Sequence, residues 1–254
     1  MRTMALARAA LWLVLSTLAC CVLTSKSGVA GGTRFNPAKV SFSDLYQTWN
    51  DGYKQSLYLT SQADKQRSAK ELTGTGIAWQ MLLTGYYETP PERYQKDQQW
   101  RADLATITGY LNIAEMQVGA GKLKEAHDAL EPIRRIWLRI RERNGVPWFG
   151  DELTKFHEVM EPTVQLAVAG ATQANVGELE GKIAELASAW EKVQQFDFHP
   201  ASAKRQQLLA ELMGSETQAV ENLRNATAAR DYANIKPFAQ AVKRAFANLY
   251  LEFG

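Results

Sequence analysis

The helical character of the chain is clearest in residues 123–140, which read LKEAHDALEPIRRIWLRI. The apolar side chains of this stretch recur in alternating steps of three and four residues, at Leu123, Ala126, Leu130, Ile133, Trp137 and Ile140. That spacing places them along one face of an α-helix, while the charged side chains occupy the other faces. The stretch therefore predicts an amphipathic helix that packs against neighbouring helices.

The chain from residue 41 onward follows the same pattern. Ala, Leu, Gln, Glu, Lys and Arg dominate, and no stretch alternates between apolar and polar residues as a strand would. Residues 144–145 (Asn-Gly) end one helix and residues 150–151 (Gly-Asp) begin the next, while residues 89–92 (Thr-Pro-Pro-Glu) predict a helix that begins at 90. Short connections favour antiparallel packing of successive helices. We expect an all-α, antiparallel bundle of about eight helices.

An internal repeat organises these helices. A shift of about 109 residues superposes 123–140 on 232–249, and a slightly different shift superposes 77–79 (Ile-Ala-Trp) on 188–190 (Ser-Ala-Trp). The repeat predicts two tandem four-helix units, at residues 41–145 and 150–254.

A helical solenoid is the alternative architecture. Residues 114–126 resemble half of a tetratricopeptide repeat, a helix pair that binds peptides. The pattern does not recur every ~34 residues, and the helices are longer than those of that family, so the bundle is favoured.

The N-terminus resembles a secretory signal peptide. Arg2 and Arg8 are followed by an apolar or small-residue run at 9–23, which is shorter than the ~20 residues needed to cross a bilayer. Small residues at 28–30 predict cleavage before Gly31, so residues 1–30 would be the signal peptide and residues 31–40 an exposed tether. This predicts an exported, periplasmic or extracytoplasmic protein.

Two alternatives to cleavage remain. Acylation of Cys21 or Cys20 would make the chain a lipoprotein, and an uncleaved leader would anchor it. Only in these two cases would the protein associate with a membrane.

Charge and motif content restrict the function. Three of the 29 Lys and Arg residues and none of the 27 Asp and Glu residues lie in the leader, so the remainder is nearly neutral and we expect no nucleic-acid partner. None of the usual catalytic signatures occurs, so we expect no enzyme. The first hypothesis is an exported binding or structural bundle of the cell envelope, with a protein or envelope component as partner.

A duplicated hexapeptide suggests a second hypothesis. Residues 127–132 (HDALEP) and 157–162 (HEVMEP) share the pattern His, acid, two apolar residues, Glu, Pro. The four-residue spacing places His127 beside Glu131 and His157 beside Glu161, each pair on one helix face. Both pairs lie on the same flank of their apolar stripes, and Glu131 and Glu161 lie at similar heights from the connecting loop. We therefore expect the two carboxylates to face each other across antiparallel helices.

Two facing carboxylates need a cation between them. A divalent metal such as iron, manganese or zinc suits ligands His127, Glu131, His157 and Glu161, with Asp128 and Glu158 as a second group. Arg134 or Arg135 could serve equally, which would make the cluster a structural polar seam. Pro132 and Pro162 also favour kinks at this level.

A third hypothesis is a haem or redox bundle. Met160 or Met116 could ligate a haem iron opposite a histidine, as in four-helix b-type cytochromes.

Overall fold

Eight α-helices form the fold in residues 40–254, the part of the chain that the computed structural model describes. They are α1 (Phe42–Ser61), α2 (Lys65–Tyr86), α3 (Trp100–Gly119), α4 (Leu123–Arg143), α5 (Phe149–Gly170), α6 (Val176–Gln195), α7 (Ala203–Ala228) and α8 (Tyr232–Phe253). One turn of 3-10 helix, Glu92–Tyr94, precedes α3, and this part of the chain contains no strand. The predicted all-α fold of about eight helices is confirmed.

The predictions for the leader lie outside the described residues. They comprise the signal peptide at 1–30, almost all of the tether at 31–40, and acylation of Cys20 or Cys21. Among α1–α8, no helix combines the length and the apolar character needed to cross a membrane.

Local signals fix several helix ends. The side chains of Ser41, Asp64 and Ser202 accept hydrogen bonds from backbone N–H groups in the first turns of α1, α2 and α7. Gly121 and Gly145 adopt φ values of +76° and +62° after α3 and α4, a conformation that glycine adopts without steric cost. The chain therefore reverses direction within a few residues between α1 and α2, between α3 and α4, and between α4 and α5.

Neighbouring helices close two rings of four. Helices α1–α4 contact one another in cyclic order, as do α5–α8, and we call these rings the first bundle and the second bundle. The bundles meet where α4 packs on α5 and where α1 packs on α8.

One hydrogen bond occurs in both bundles. The indole N–H of Trp79 on α2 donates to the Thr108 hydroxyl on α3 at 2.9 Å, and that of Trp190 on α6 donates to Thr217 on α7 at 3.0 Å. Both tryptophans are buried. Because each bond joins the second and third helices of its bundle, the pair gives a reference from which corresponding positions can be counted.

Aromatic side chains fill the first bundle. Trp49, Trp79, Trp100 and Trp137 are at most 2% exposed, and adjacent rings within this group lie 5.1–6.4 Å apart between centroids. The core of the second bundle carries one tryptophan, Trp190, against Phe156. Aromatic pairs at such separations contribute beyond their buried area, so the first bundle has a distinct, ring-rich core.

The prediction that a helix begins at residue 90 was wrong, since α3 begins at Trp100. The intervening segment is held by tertiary contacts instead. Tyr94 is buried and stacks on Trp100 at 5.0 Å, while the Asp97 carboxylate accepts hydrogen bonds from Arg143 at 2.9 Å and from Asn144 at 2.8 Å. These contacts stabilise a non-helical path that the local capping signal does not reveal.

Candidate functional site

Helices α4 and α5 run antiparallel, and a ladder of polar contacts joins them. Arg141 pairs with Asp151 at 2.6 Å, Arg135 with Glu158 at 3.0 Å, and Arg134 lies 3.2 Å from the His157 ring. Residue numbers rise along one helix as they fall along the other. This register brings the two copies of the hexapeptide to the same level, and we call the resulting cluster the polar seam: His127, Glu131, Arg134, His157 and Glu161.

Glu131 lies at the centre of the polar seam. Arg134 donates a hydrogen bond from Nη2 to its Oε2, and the His127 Nε2 lies 3.2 Å from its Oε1. Burial alone would raise the pKa of this carboxyl, but the positive charge of Arg134 and the hydrogen bond from His127 outweigh it and hold the pKa far below its usual value. Glu131 is therefore a carboxylate at neutral pH.

His127 bridges the seam to α1. Its Nδ1 lies 3.0 Å from the Leu57 carbonyl oxygen and 3.3 Å from the Thr60 hydroxyl. A carbonyl oxygen can only accept, so Nδ1 carries a hydrogen. The ring is thus oriented with Nε2 toward Glu131, 3.2 Å from its Oε1.

His157 lies between the two glutamates. Its Nδ1 is 4.0 Å from Glu131 and its Nε2 is 3.8 Å from Glu161, while its ring packs 5.2 Å from that of Phe246. Burial, and next the nearby charge of Arg134, lower the pKa of His157 to about 3. The imidazole is therefore neutral, and its Nε2 accepts the hydrogen bond from Arg134.

The other acidic candidates have partners of their own. Both carboxylate oxygens of Glu161 contact Lys243 of α8, at 2.8 and 3.0 Å. Asp128 pairs with Lys124 at 2.6 Å and Glu158 pairs with Arg135 at 3.0 Å. The structure thus brings His127, Glu131, His157 and Glu161 together and directs Asp128 and Glu158 away from them.

The cation at the centre of the seam is Arg134. Its side chain is buried and its guanidinium lies 5.1 Å from the centre of the Tyr250 ring. Across residues 40–254, no group of three or more His, Cys, Asp or Glu side chains is placed to hold a metal ion. Chemically, the seam is a network of ion pairs and hydrogen bonds that joins α1, α4, α5 and α8.

Two strong features of the structure were not predicted from the sequence. Arg141 and Asp151 form a buried, bidentate ion pair, and Arg141 also donates to the Tyr46 hydroxyl at 2.7 Å. Glu216 of α7 is 0% exposed, and neither of its carboxyl oxygens has a hydrogen-bond partner in the part of the chain described. The sequence signal for the Arg141–Asp151 pair was the position of Asp151 in the first turn of α5, ten residues after Arg141. The signal for Glu216 was its position on the apolar stripe of α7.

A shallow groove of about 650 Å³ lies between α7 and α8. Small and amide side chains line it, among them Gly214, Ser215, Gln218, Asn222 and Ala245. The lining includes no histidine or cysteine, so no nucleophile with an adjacent imidazole base is present there. Glu211 and Arg244 also line the groove, so it offers both charged and hydrogen-bonding side chains.

The outer surface of α2 and α3 is the third candidate region. Ile77 on α2 and Ile113 and Met116 on α3 are 60%, 43% and 62% exposed. No charged residue occurs between 73 and 87 or between 104 and 114, which cover most of the exposed turns of both helices. We call this region the uncharged face. Large exposed apolar side chains that cluster on one surface mark interaction sites in soluble proteins.

The second bundle provides an internal comparison for this face. Counting from the shared indole-to-threonine hydrogen bond, Ile77 corresponds to Ser188, while Ile113 and Met116 correspond to Asn222 and Asn225. All three counterparts are polar. The same type of bundle therefore forms without apolar side chains at these positions, which means that the fold does not require them in the first bundle.

In residues 40–254 the chain is an all-helical protein with a polar seam and an uncharged outer face. Comparison with models of protein families, with curated proteins and with solved structures finds no match to this chain.

Proposed function

We propose that this chain is an exported, non-catalytic helical-bundle protein of the cell envelope that binds a partner protein through its uncharged face. The observation that carries the proposal is the exposure of Ile77, Ile113 and Met116 where the second bundle has Ser and Asn. Export rests on the basic and apolar pattern of residues 1–30. The absence of catalytic motifs from the sequence favours binding over catalysis.

Energetics support binding at this face. Burying an apolar side chain contributes roughly 1.5–3 kcal/mol, so three such residues at the centre of a contact can dominate its stability. Gly74 and Gly109 also lie on the face, and no atom lies within 4 Å of the position that a Cβ would take at either. Glycine inside a helix costs about 0.5–1 kcal/mol relative to alanine, and internal packing does not explain that cost here. Gly74 and Gly109 leave room for a partner helix to approach closely, as the equally open Gly181 and Gly214 do in the second bundle.

Site-specific photo-crosslinking in the native cells tests this proposal. A photoreactive amino acid replaces Ile77 or Met116 in the full chain, and the matched controls place it at Ser188 or Asn225. We expect envelope-fraction adducts of one defined mass at Ile77 and Met116 and none at the controls. Equal labelling at all four positions, or none at any, would contradict binding through this face.

Divalent-metal binding at the polar seam is the second candidate, favoured by the convergence of His127, Glu131, His157 and Glu161. A metal would have to displace Arg134 from Glu131 and Lys243 from Glu161. The test is thermal unfolding of the wild type with a chelator or with added iron, manganese or zinc. A shift that Glu131→Ala plus Glu161→Ala abolishes would support a metal; no response would leave the seam structural. The haem hypothesis stays a prediction; Met160 is buried in the core and Met116 is exposed.

A further inference from the structure

We infer that the partner of the uncharged face is a second copy of this chain, bound by antiparallel contact of α3 with α3 of that copy. This inference rests on the proposed function and specifies its partner. Two copies related by a two-fold axis present the same surface to each other, so that surface must be complementary to itself. The residues along α3 meet this requirement.

The outward stripe of α3 is divided into a small half and a large half. At 100° per residue, one exposed line along the helix contains Ala102, Thr106, Gly109, Ile113 and Met116. The side chains before Gly109 are small and those after it are large. In an antiparallel pair that crosses at Gly109, the large half of each copy lies on the small half of the other.

Residues at equal distances before and after Gly109 differ in size and would face each other in the two copies. Met116 and Ala102 lie seven residues on either side of Gly109, and Ile113 and the half-buried Ala105 lie four residues on either side. Antiparallel crossing therefore places Met116 opposite Ala102 of the second copy and Ile113 opposite its Ala105. Large side chains that enter spaces over small ones are the basis of close helix packing.

The centre itself allows a close approach. A Cβ at Gly109 would meet no atom within 4 Å, so the space outside the helix is open there. Ile77 lies at a similar height on α2, because the bond between Trp79 and Thr108 sets the register of α2 on α3. Both copies would thus present Ile77 near the level of the two-fold axis.

Charge favours the antiparallel direction. Arg101 and Glu115 project within about 40° of each other around α3, on one flank of the stripe, and lie at opposite ends of the helix. The same flanks meet in an antiparallel pair, so Arg101 of one copy, which pairs with Glu88 of its own chain at 3.0 Å, also comes near Glu115 of the other. In a parallel pair this flank would lie on opposite edges of the two helices, and the attraction would not form.

The available area indicates a reversible dimer. Helix α3 has 20 residues and is therefore ~30 Å long, and two helices side by side are roughly 20 Å wide. The face can bury ~600 Å² per copy, which is at the lower limit of standard protein interfaces. We expect an equilibrium between monomer and dimer that shifts with protein concentration over the range that sedimentation measurements cover.

Sedimentation equilibrium of the purified full chain tests the dimer. We expect a monomer to dimer transition for the wild type, and at least tenfold weaker association for Ile113→Asn plus Met116→Asn. These are the residues that the second bundle has at the matched positions, and circular dichroism verifies folding. A wild type that stays monomeric at all concentrations would overturn the inference.

Disulfide trapping gives an independent test in which Ile77, Ile113 and Met116 stay unchanged. Gly109→Cys and its matched control Gln218→Cys are each made with Cys20→Ser and Cys21→Ser, and both are oxidised. We expect a covalent dimer with Gly109→Cys only. A dimer at neither or at both positions would argue against the proposed axis.

The two proposals can fail separately. Photo-adducts at Ile77 and Met116 with the mass of two copies would support both. Adducts of another mass, together with a monomeric purified chain, would overturn the dimer and leave binding through the uncharged face in place. A monomer without specific adducts would contradict both.

Discussion

Arg134 donates a hydrogen bond from Nη2 to Nε2 of His157, 3.2 Å away across the contact of α4 with α5. Because a guanidinium has only donors, the imidazole must keep this nitrogen unprotonated. Burial and the charge of Arg134 both act in that direction and lower the pKa of His157 to about 3. A proton added to His157 in acid would break this hydrogen bond and place a second positive charge beside Arg134.

The first prediction concerns the pH dependence of stability. Unfolded His157 takes up a proton near pH 6.5, whereas the folded protein takes it up near pH 3, so the unfolded state binds more protons between these values. His157 should therefore lower the free energy of unfolding as pH drops below 6.5, by up to ~2 kcal/mol at pH 5. Buried Glu216 acts in the opposite direction over this range, so the contribution of His157 is the difference between the wild type and a variant without His157. Urea unfolding at pH 7 and pH 5 measures this loss.

The variant His157→Gln serves as the control for that prediction. Its amide oxygen can accept from Arg134, but the side chain does not titrate, so the loss between pH 7 and pH 5 should be smaller than in the wild type. The stability that Glu131 contributes is lost only as pH falls below 4.5, the ordinary pKa of a glutamate, which lies outside this pH window. Identical pH profiles for the two proteins would mean that His157 is free to protonate in the folded state.

The second prediction compares two adjacent arginines. Arg134→Met leaves the Glu131 carboxylate without its buried cation, and we expect a loss of ~3 kcal/mol or more in the free energy of unfolding. Arg135→Met removes a pair with Glu158 in which both side chains are substantially exposed, so the loss should be below ~1 kcal/mol. Nuclear magnetic resonance should also detect a higher pKa of His157 in Arg134→Met. Equal losses in the two variants would contradict the central role of Arg134.

The third prediction concerns Glu216, which is buried without a partner. Counting from the shared hydrogen bond, Ile107 occupies the corresponding position of the first bundle. Glu216→Leu removes the cost of burying an unpaired polar group and should stabilise the protein by ~1–3 kcal/mol, as measured by urea unfolding at pH 7. The exposed Glu221 on the same helix offers a control, and Glu221→Leu should change stability by less than ~0.5 kcal/mol.

The pH dependence of this effect has a defined sign. Burial raises the pKa of Glu216 well above 4.5, so the folded state binds more protons than the unfolded state above that pH. The stability contributed by the protonated acid is lost as pH rises, and the advantage of Glu216→Leu should grow from pH 5 to pH 8. An advantage that shrinks over this range would contradict a buried neutral acid.

The fourth prediction concerns the leader. Protein purified from its native cells should begin near Gly31, because small residues at 28–30 follow an apolar run of signal-peptide length. Intact-mass analysis with N-terminal sequencing measures this directly. A diacylglyceryl-modified Cys20 or Cys21 would replace this prediction with a lipid anchor.

The helical fold could be predicted because its signal is local. Apolar residues at steps of three and four, such as those from Leu123 to Ile140, determine a helix and its buried face without reference to the rest of the chain. The start of α3 could not be predicted in this way. Its position depends on the stacking of Tyr94 on Trp100 and on the contact of Asp97 with Arg143, which join residues far apart in sequence.

The polar seam also combines features that the local sequence predicts with features that depend on tertiary contacts. Spacing and height were enough to bring His127 and His157 to the two glutamates. The neutral His157 ring, rather than the expected cation, lies between the two carboxylates. Spacing could not show which arginine pairs with Glu131, because Arg134 and Arg135 are adjacent in sequence and project in different directions. Only the packed structure assigns Arg134 to Glu131 and Arg135 to Glu158. Lys243, which pairs with Glu161, comes from a helix that begins more than 60 residues later.

The indole cluster of the first bundle has a spectroscopic consequence. Excitation absorbed by one of Trp49, Trp79, Trp100 and Trp137 can pass to its neighbours, because adjacent rings in the group lie 5.1–6.4 Å apart. Trp190 emits from the core of the second bundle, against Phe156. Replacing Trp190 with Phe would leave, within residues 40–254, the four clustered indoles and Trp148, whose ring lies 5.9 Å from that of Tyr46 on α1, so the fluorescence would report mainly on the first bundle. The chain thus carries native optical probes that can reveal whether its two halves lose structure together or in sequence.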